Sequence, residues 1–137
     1  MAPDDVILAK VEIIERCLQR VRDVYAGDPA NLHRDLTRQD SILLNLERAC
    51  QASIDLALRI VALRGLGLPR ESREAFVFIE QAGVIDHELA LALQRMVGFR
   101  NLAVHNYRQL DLLVVQRLIE HRLEDLARFC RVALALQ

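Results

Sequence analysis

Apolar residues recur at intervals of three and four along most of the chain, which is the spacing of one face of an α-helix. The first such stretch extends from about Asp4 to Ala26 and is stopped by Gly27-Asp28-Pro29. A longer stretch begins at the capping pattern Thr37-Arg38-Gln39-Asp40 and extends to about Arg64. The pattern therefore predicts two long helices in the first half of the chain.

The second half continues the same spacing after a break at Gly65-Leu66-Gly67-Leu68-Pro69. A short third helix is predicted from about Glu71 to Gln81. Asp86 can cap a fourth helix, and Asp111 opens a fifth. The sequence contains no candidate strand and no internal repeat. It predicts one domain, residues 1–137, folded as an all-α bundle of about five helices, four long and one short.

The long second helix has more apolar positions than one neighbouring helix could cover. The positions that widen its apolar side are Leu44, Leu56, Ile60 and Leu63. A surplus of this kind indicates a second packing partner, such as another subunit.

Composition narrows the class of protein. The chain has 137 residues with 53% apolar residues and a net charge of −1, which fits one globular domain and argues against a protein that coats nucleic acid generally. Its three cysteines, Cys17, Cys50 and Cys130, have neither disulfide-framework nor zinc-ligand spacing. The start does not have the pattern of a signal peptide, and no apolar run is long enough to span a bilayer. We expect a cytoplasmic protein with no membrane partner.

One stretch contains most of the reactive polar groups. Arg100-Asn101-Leu102-Ala103-Val104-His105-Asn106-Tyr107 includes a permanent cation, an imidazole that titrates near neutrality and a phenol. Such a set suits chemistry on a phosphodiester. The alternative is that Arg100 pairs with an acid and His105 and Tyr107 only form hydrogen bonds across a helix end. For so short a pattern alone, that alternative has the greater weight.

The spacing of the motif also limits how its side chains can meet. On one unbroken helix each residue turns by about 100°, so Arg100 and His105 would point roughly 140° apart. We therefore expect the helix to end near Val104 so that His105 turns back, and two chains to pool their side chains.

Residues around the motif resemble those of a known family. The pattern R-N-x3-H-x-Y is preceded by Gly98-Phe99, and the long second helix contains Cys50-Gln51-Ala52-Ser53-Ile54-Asp55. With the order of helices, the chain resembles, over essentially its whole length, the HepT-like family of the HEPN superfamily. Members of that family are ribonuclease toxins whose genes lie beside a minimal nucleotidyltransferase antitoxin, MntA, in type VII-like HEPN/MNT systems.

The resemblance implies an endoribonuclease toxin that acts on RNA as a homodimer. It implies that Arg100 and His105 are the catalytic pair, and that Tyr107 is adenylylated from ATP by the antitoxin. Asn101 is expected to position the phosphate or the histidine. The sequence offers no carboxylate cluster for two-metal catalysis, so we expect no metal and no other cofactor. Asp55 is only a weak supporting candidate, because an exposed ion pair with Arg59 at i+4 has the greater weight as an explanation of it.

Two other classes of function remain open. One is a catalytically silent HEPN-type module that binds nucleotide or RNA and partners a nucleotidyltransferase. The other is a plain helical oligomerisation domain. A further group of arginines around the Gly-Pro break could contact RNA, although nearby glutamates weaken that interpretation: Arg59, Arg64, Arg70 and Arg73.

Overall fold

The structure is a computed structural model that describes residues 3–137, except for the side chain of Arg108. The described residues form seven α-helices and one 3-10 turn, without a strand, which confirms the all-α expectation for this part of the chain. The two longest helices, α1 (Asp5–Tyr25) and α3 (Leu36–Arg64), pack against each other as the largest helix pair. Between them lies α2 (Ala30–His33), a single turn that the sequence pattern did not predict.

Aspartate side chains begin the long helices. Asp4 accepts a hydrogen bond from the backbone N–H of Ile7 at 3.0 Å, and Asp35 accepts one from Arg38 at 3.1 Å. These bonds satisfy N–H groups that have no partner within the first turn. The start of α3 is thus set by Asp35, and not by the Thr37 capping pattern that the sequence indicated.

The next two helices agree with the sequence pattern. α4 (Ser72–Gln81) is short, and α5 (His87–His105) begins where the side chain of Asp86 accepts a hydrogen bond from Leu89 N–H. Both helices pack on α3 and on each other. This arrangement fixes the C-terminal end of α5, which carries the motif, beside the N-terminal half of α3.

The expected single fifth helix is in fact two helices, α6 (Leu112–His121) and α7 (Leu123–Ala135). Arg122 leaves the helical region with φ −121° and ψ −7°, so the chain changes direction there. α6 then packs near α2, whereas α7 packs on α1. Because each half keeps its own apolar face, periodicity continues across the break and cannot show it.

The buried side chains form one cluster with α3 at its centre. Two of the apolar residues that the sequence marked as surplus, Leu56 and Ile60, are buried within the chain, whereas Leu44 and Leu63 are 45% and 50% exposed. The three cysteines are free and buried. Among the described helices, none has the length and apolar character needed to cross a bilayer.

Candidate active site

The motif lies at the C-terminal end of α5. Helical hydrogen bonding continues through His105, because the backbone N–H of Asn106 still donates to Leu102 O at 2.8 Å. Asn106 then leaves the helix with φ −150° and ψ 54°, and Tyr107 begins a single 3-10 turn. The expectation that His105 turns back is therefore wrong, since the residue stays in the helix.

This continuity separates the arginine from the histidine. Helix geometry directs Arg100 and His105 roughly 140° apart around α5. Arg100 is half-buried on the side of α5 that faces α3, where its charge acts on Cys50, whereas His105 is exposed. Within one chain, the two side chains do not converge on one point.

The side chain of Arg100 is held without an acidic partner. Its Nη1 donates to Asn101 Oδ1 at 3.2 Å, and its Nε is buried without a hydrogen-bond partner. Among the described residues, no carboxylate lies within salt-bridge distance of it, so the structure does not support the ion-pair alternative. A buried N–H without a partner is costly, and the guanidinium is left without an opposite charge, which a phosphate could supply.

Cys50 is the neighbour of Arg100 on α3. Burial raises the pKa of the Cys50 thiol to about 12, with Glu47 also raising it and Arg100 lowering it. The thiol therefore stays protonated at neutral pH and does not provide a nucleophile. Cys50 is therefore a packing residue beside Arg100.

Tyr107 lies across from α3 at the end of the motif. The residue is 47% exposed, and its hydroxyl donates to Asp40 Oδ1 at 3.0 Å. Burial, the hydrogen bond to Asp40 and the charge of that carboxylate, in this order, raise the pKa of Tyr107 above its ordinary value. The sequence pattern does not predict this contact, because it assigns Asp40 to a helix cap.

A surface cavity of about 490 Å³ opens beside Tyr107, between α3 and the end of α5. Its apolar part includes Leu44 and Val104, and its charged part consists of Asp40 and Glu47. The cavity is open to solvent, so a group attached to Tyr107 has room to lie against α3 and α5.

Arg73 on α4 lies directly against α5. A Cβ atom added at Gly98 would come within 2.6 Å of its Nη2, so the guanidinium occupies the space that glycine leaves free. Gly98, Asn101 and His105 are spaced by three and four residues and share one face of α5. Arg73 thus places a second cation, besides Arg100, near the motif, on the face of α5 that carries His105. The sequence pattern assigns Arg73 only to the general arginine cluster around the Gly-Pro break.

Two other residues from the sequence analysis lie elsewhere. Asp55 accepts hydrogen bonds from Lys10 at 3.2 Å and from Gln51 at 3.0 Å. Arg59 instead donates to Asp4 at 2.7 Å. The expected ion pair between Asp55 and Arg59 is therefore not formed. Asp55 thus faces α1, and its hydrogen bonds involve no residue of the motif. Among the described residues, no group of three or more His, Cys, Asp or Glu is arranged to hold a metal ion.

Comparison with known proteins extends these observations. Residues 14–133 match the model of the family described as ribonuclease HepT-like. The chain is 42% identical over 129 residues to the mRNA nuclease HepT of Shewanella oneidensis, which covers 94% of this chain and 96% of that protein.

Solved structures agree with this match. A tri-AMPylated Shewanella oneidensis HEPN toxin in complex with an MNT antitoxin superposes with a TM-score of 0.91 at 42% identity, covering 96% of this chain and 98% of that one. A toxin–antitoxin complex with AMP-PNP gives a TM-score of 0.91 at 41% identity, covering 96% and 99%. A mutant MntA–HpeT toxin–antitoxin complex gives 0.90 at 41% identity, with the same coverage. From its sequence, its helical fold and its motif, the chain belongs to the HepT-like ribonuclease family of HEPN toxins.

Proposed function

We propose that this chain is a toxin that cleaves RNA through Arg100 and His105 and is neutralised by adenylylation of Tyr107. The observation that carries the proposal is the side chain of Arg100, whose Nε has no hydrogen-bond partner and whose guanidinium forms no ion pair among the described residues. The relative named as an mRNA nuclease points to mRNA as the substrate class. The expected partner is a nucleotidyltransferase antitoxin of the MntA kind, like the antitoxins bound to the similar toxins.

The reaction needs two proton transfers and stabilisation of a charged phosphate. The 2′-hydroxyl of the RNA loses a proton and attacks the adjacent phosphorus, and the bond from phosphorus to the leaving 5′-oxygen breaks as that oxygen gains a proton. His105 suits either transfer, because an imidazole titrates near neutral pH. Arg100 donates hydrogen bonds to the phosphate oxygens as their charge increases. The chemistry requires no metal ion in this scheme.

A homodimer would bring these groups together. In a single chain Arg100 and His105 diverge, so a site that contains both groups would draw the arginine from one chain and the histidine from the other. The apolar surface next to the motif is exposed, with Leu44 at 45% and Val104 at 44%. A second copy that covers this surface would place two His105 side chains and two Arg100 side chains in one cleft.

Adenylylation of Tyr107 would block this cleft. The modification adds a bulky nucleotide and a negatively charged phosphate near Arg100 and His105, where it competes with RNA for the arginine. The similarity to a tri-AMPylated toxin and to a complex with AMP-PNP supports this part of the proposal. The cavity beside Tyr107 provides space for the nucleotide.

Controlled expression of the unmodified chain tests the proposal. The wild type should arrest growth and cut mRNA, whereas His105→Ala, expressed to the same level, should do neither. Growth arrest by both proteins would show that the toxicity does not come from this motif. Growth with both, when intact mass shows that Tyr107 is unmodified, would favour the catalytically silent binding module.

A further inference from the structure

The hydroxyl of Tyr107 is directed at a carboxylate that has no other hydrogen-bond partner among the described residues. Its hydrogen bond to Asp40 Oδ1, 3.0 Å long, joins residues 67 positions apart in the chain. The side chain of Asp40 lies in the second turn of α3 and forms no ion pair and no other hydrogen bond among the described residues. In the described part of the chain, the hydroxyl of Tyr107 is thus the group that this carboxylate contacts.

We propose that Asp40 is the general base for adenylylation of Tyr107, so that the toxin supplies a catalytic group for its own neutralisation. This inference rests on the proposed function. In the step, Tyr107 Oη attacks the α-phosphorus of ATP and an O–P bond forms. The bond between that phosphorus and the bridging oxygen of the pyrophosphate breaks, and pyrophosphate leaves with the electron pair. The proton of the phenol passes to Asp40 Oδ1.

A base is needed because the phenol holds its proton tightly. An ordinary tyrosine has a pKa of about 10, so almost none is ionised at neutral pH. At Tyr107 the pKa is raised further, first by burial and then by Asp40. Very little of Tyr107 is therefore ionised at neutral pH, so the proton has to leave while the bond to phosphorus forms. A carboxylate within hydrogen-bond distance of the reacting oxygen can accept it at that moment.

The surroundings of Tyr107 single out Asp40. The charged side chains that line its cavity, in the part of the chain that the structure describes, are Asp40 and Glu47, both on α3. From α5 the cavity receives only Ala103 and Val104, which do not titrate. Of the two carboxylates, Asp40 is the one that contacts the phenol. The open side of the cavity leaves room for a nucleotide brought by the antitoxin.

The test compares Asp40→Asn with the wild type. Asparagine keeps an oxygen that can accept the hydrogen bond of Tyr107, but it cannot take up the proton. Each purified toxin is mixed with the cognate nucleotidyltransferase antitoxin and ATP, and AMP incorporation is followed by intact mass. Asp23→Asn is the matched control, because Asp23 is an exposed carboxylate near Asp40 whose hydrogen bond comes from Gln19. Thermal unfolding of each variant checks that it is folded.

We expect Asp40→Asn to slow modification by about 10²- to 10⁴-fold, the usual range for loss of a general base, and Asp23→Asn to match the wild type. The rate with Asp40→Asn should also rise about tenfold per pH unit below the pKa of Tyr107, because reaction then depends on preformed phenolate. Equal rates and equal pH profiles for Asp40→Asn and wild type would overturn the inference. If neither the wild type nor Asp23→Asn is modified, the proposed function fails and the inference falls with it.

Discussion

Arg100 and His105 belong to one uninterrupted helix, and five residues of helix direct their side chains roughly 140° apart. Arg100 is half-buried against α3, whereas His105 is exposed at the end of α5. Under the proposed function, such a pair acts on one phosphate when a second chain supplies part of the site.

Val104→Glu should give a folded monomer and lower RNA cleavage at least about tenfold, because a carboxylate at the centre of the proposed interface would be buried without a partner. Sedimentation at micromolar concentration measures the assembly. The control is Leu134→Glu, since Leu134 is an apolar residue of α7 with a similar exposure, 39% against 44%. A Val104→Glu protein that remains a dimer would contradict the proposed interface.

Arg73→Ala should weaken RNA binding and leave the fold intact, since its guanidinium lies against Gly98 on the face of α5 that carries His105. A lost phosphate contact reduces the salt dependence of binding by about one unit in the slope of log K against log salt. Gly98→Ala should act in the same direction, because its Cβ would displace Arg73. Arg131→Ala is the control, because Arg131 bonds to Glu124 on α7. An unchanged salt slope in Arg73→Ala would show that Arg73 does not contact RNA.

Titration of the two tyrosines tests the environment of Tyr107. Burial and Glu120 raise the pKa of Tyr25 to about 12, and Tyr107 also titrates above its ordinary value. Asp40→Asn removes the charge that opposes the phenolate, so the pKa of Tyr107 should fall, while burial still holds it above its ordinary value. Phenolate absorbance against pH measures this, with Tyr107→Phe as the reference for Tyr25 alone. A titration curve that Asp40→Asn leaves unchanged would mean that the two residues do not interact in solution.

The cap of α3 gives a prediction about stability. Asp35→Ala should lower the free energy of unfolding by about 1 kcal/mol, because the side chain of Asp35 accepts from Arg38 N–H at the start of the helix. Thr37→Ala should cost clearly less, since Thr37 lies inside α3. Urea unfolding of the two variants separates these expectations. If Thr37→Ala lowered the free energy of unfolding more than Asp35→Ala, the cap would be Thr37, as the sequence pattern indicated.

The sequence predicted the elements that are marked by local signals. The starts of α1 and α5 follow from aspartate caps, the end of α1 from a glycine and the extent of α4 from apolar periodicity, and each of these signals acts within a few residues. The position of the motif at the end of the fourth predicted helix follows in the same way. The break at Arg122 has no such signal, because the apolar spacing continues through it.

The contacts that define the site could not be predicted from local patterns. Tyr107 meets Asp40 only because α5 packs on α3, and Arg73 meets Gly98 only because α4 packs on α5. Local reasoning assigned Asp40 to a cap and Arg73 to a surface cluster. The catalytic roles of Arg100 and His105 remain predictions, and they depend on an assembly that one chain does not show.

Mixing two inactive variants tests the central claim most directly. Arg100→Ala and His105→Ala are purified separately, shown to lack RNA cleavage, then dissociated and reassembled together. If the site draws its arginine from one chain and its histidine from the other, half of the dimers are mixed and each contains one intact site, so about a quarter of the wild-type cleavage should return. If reassembly is confirmed and no cleavage returns, the account of a site pooled between two chains is wrong.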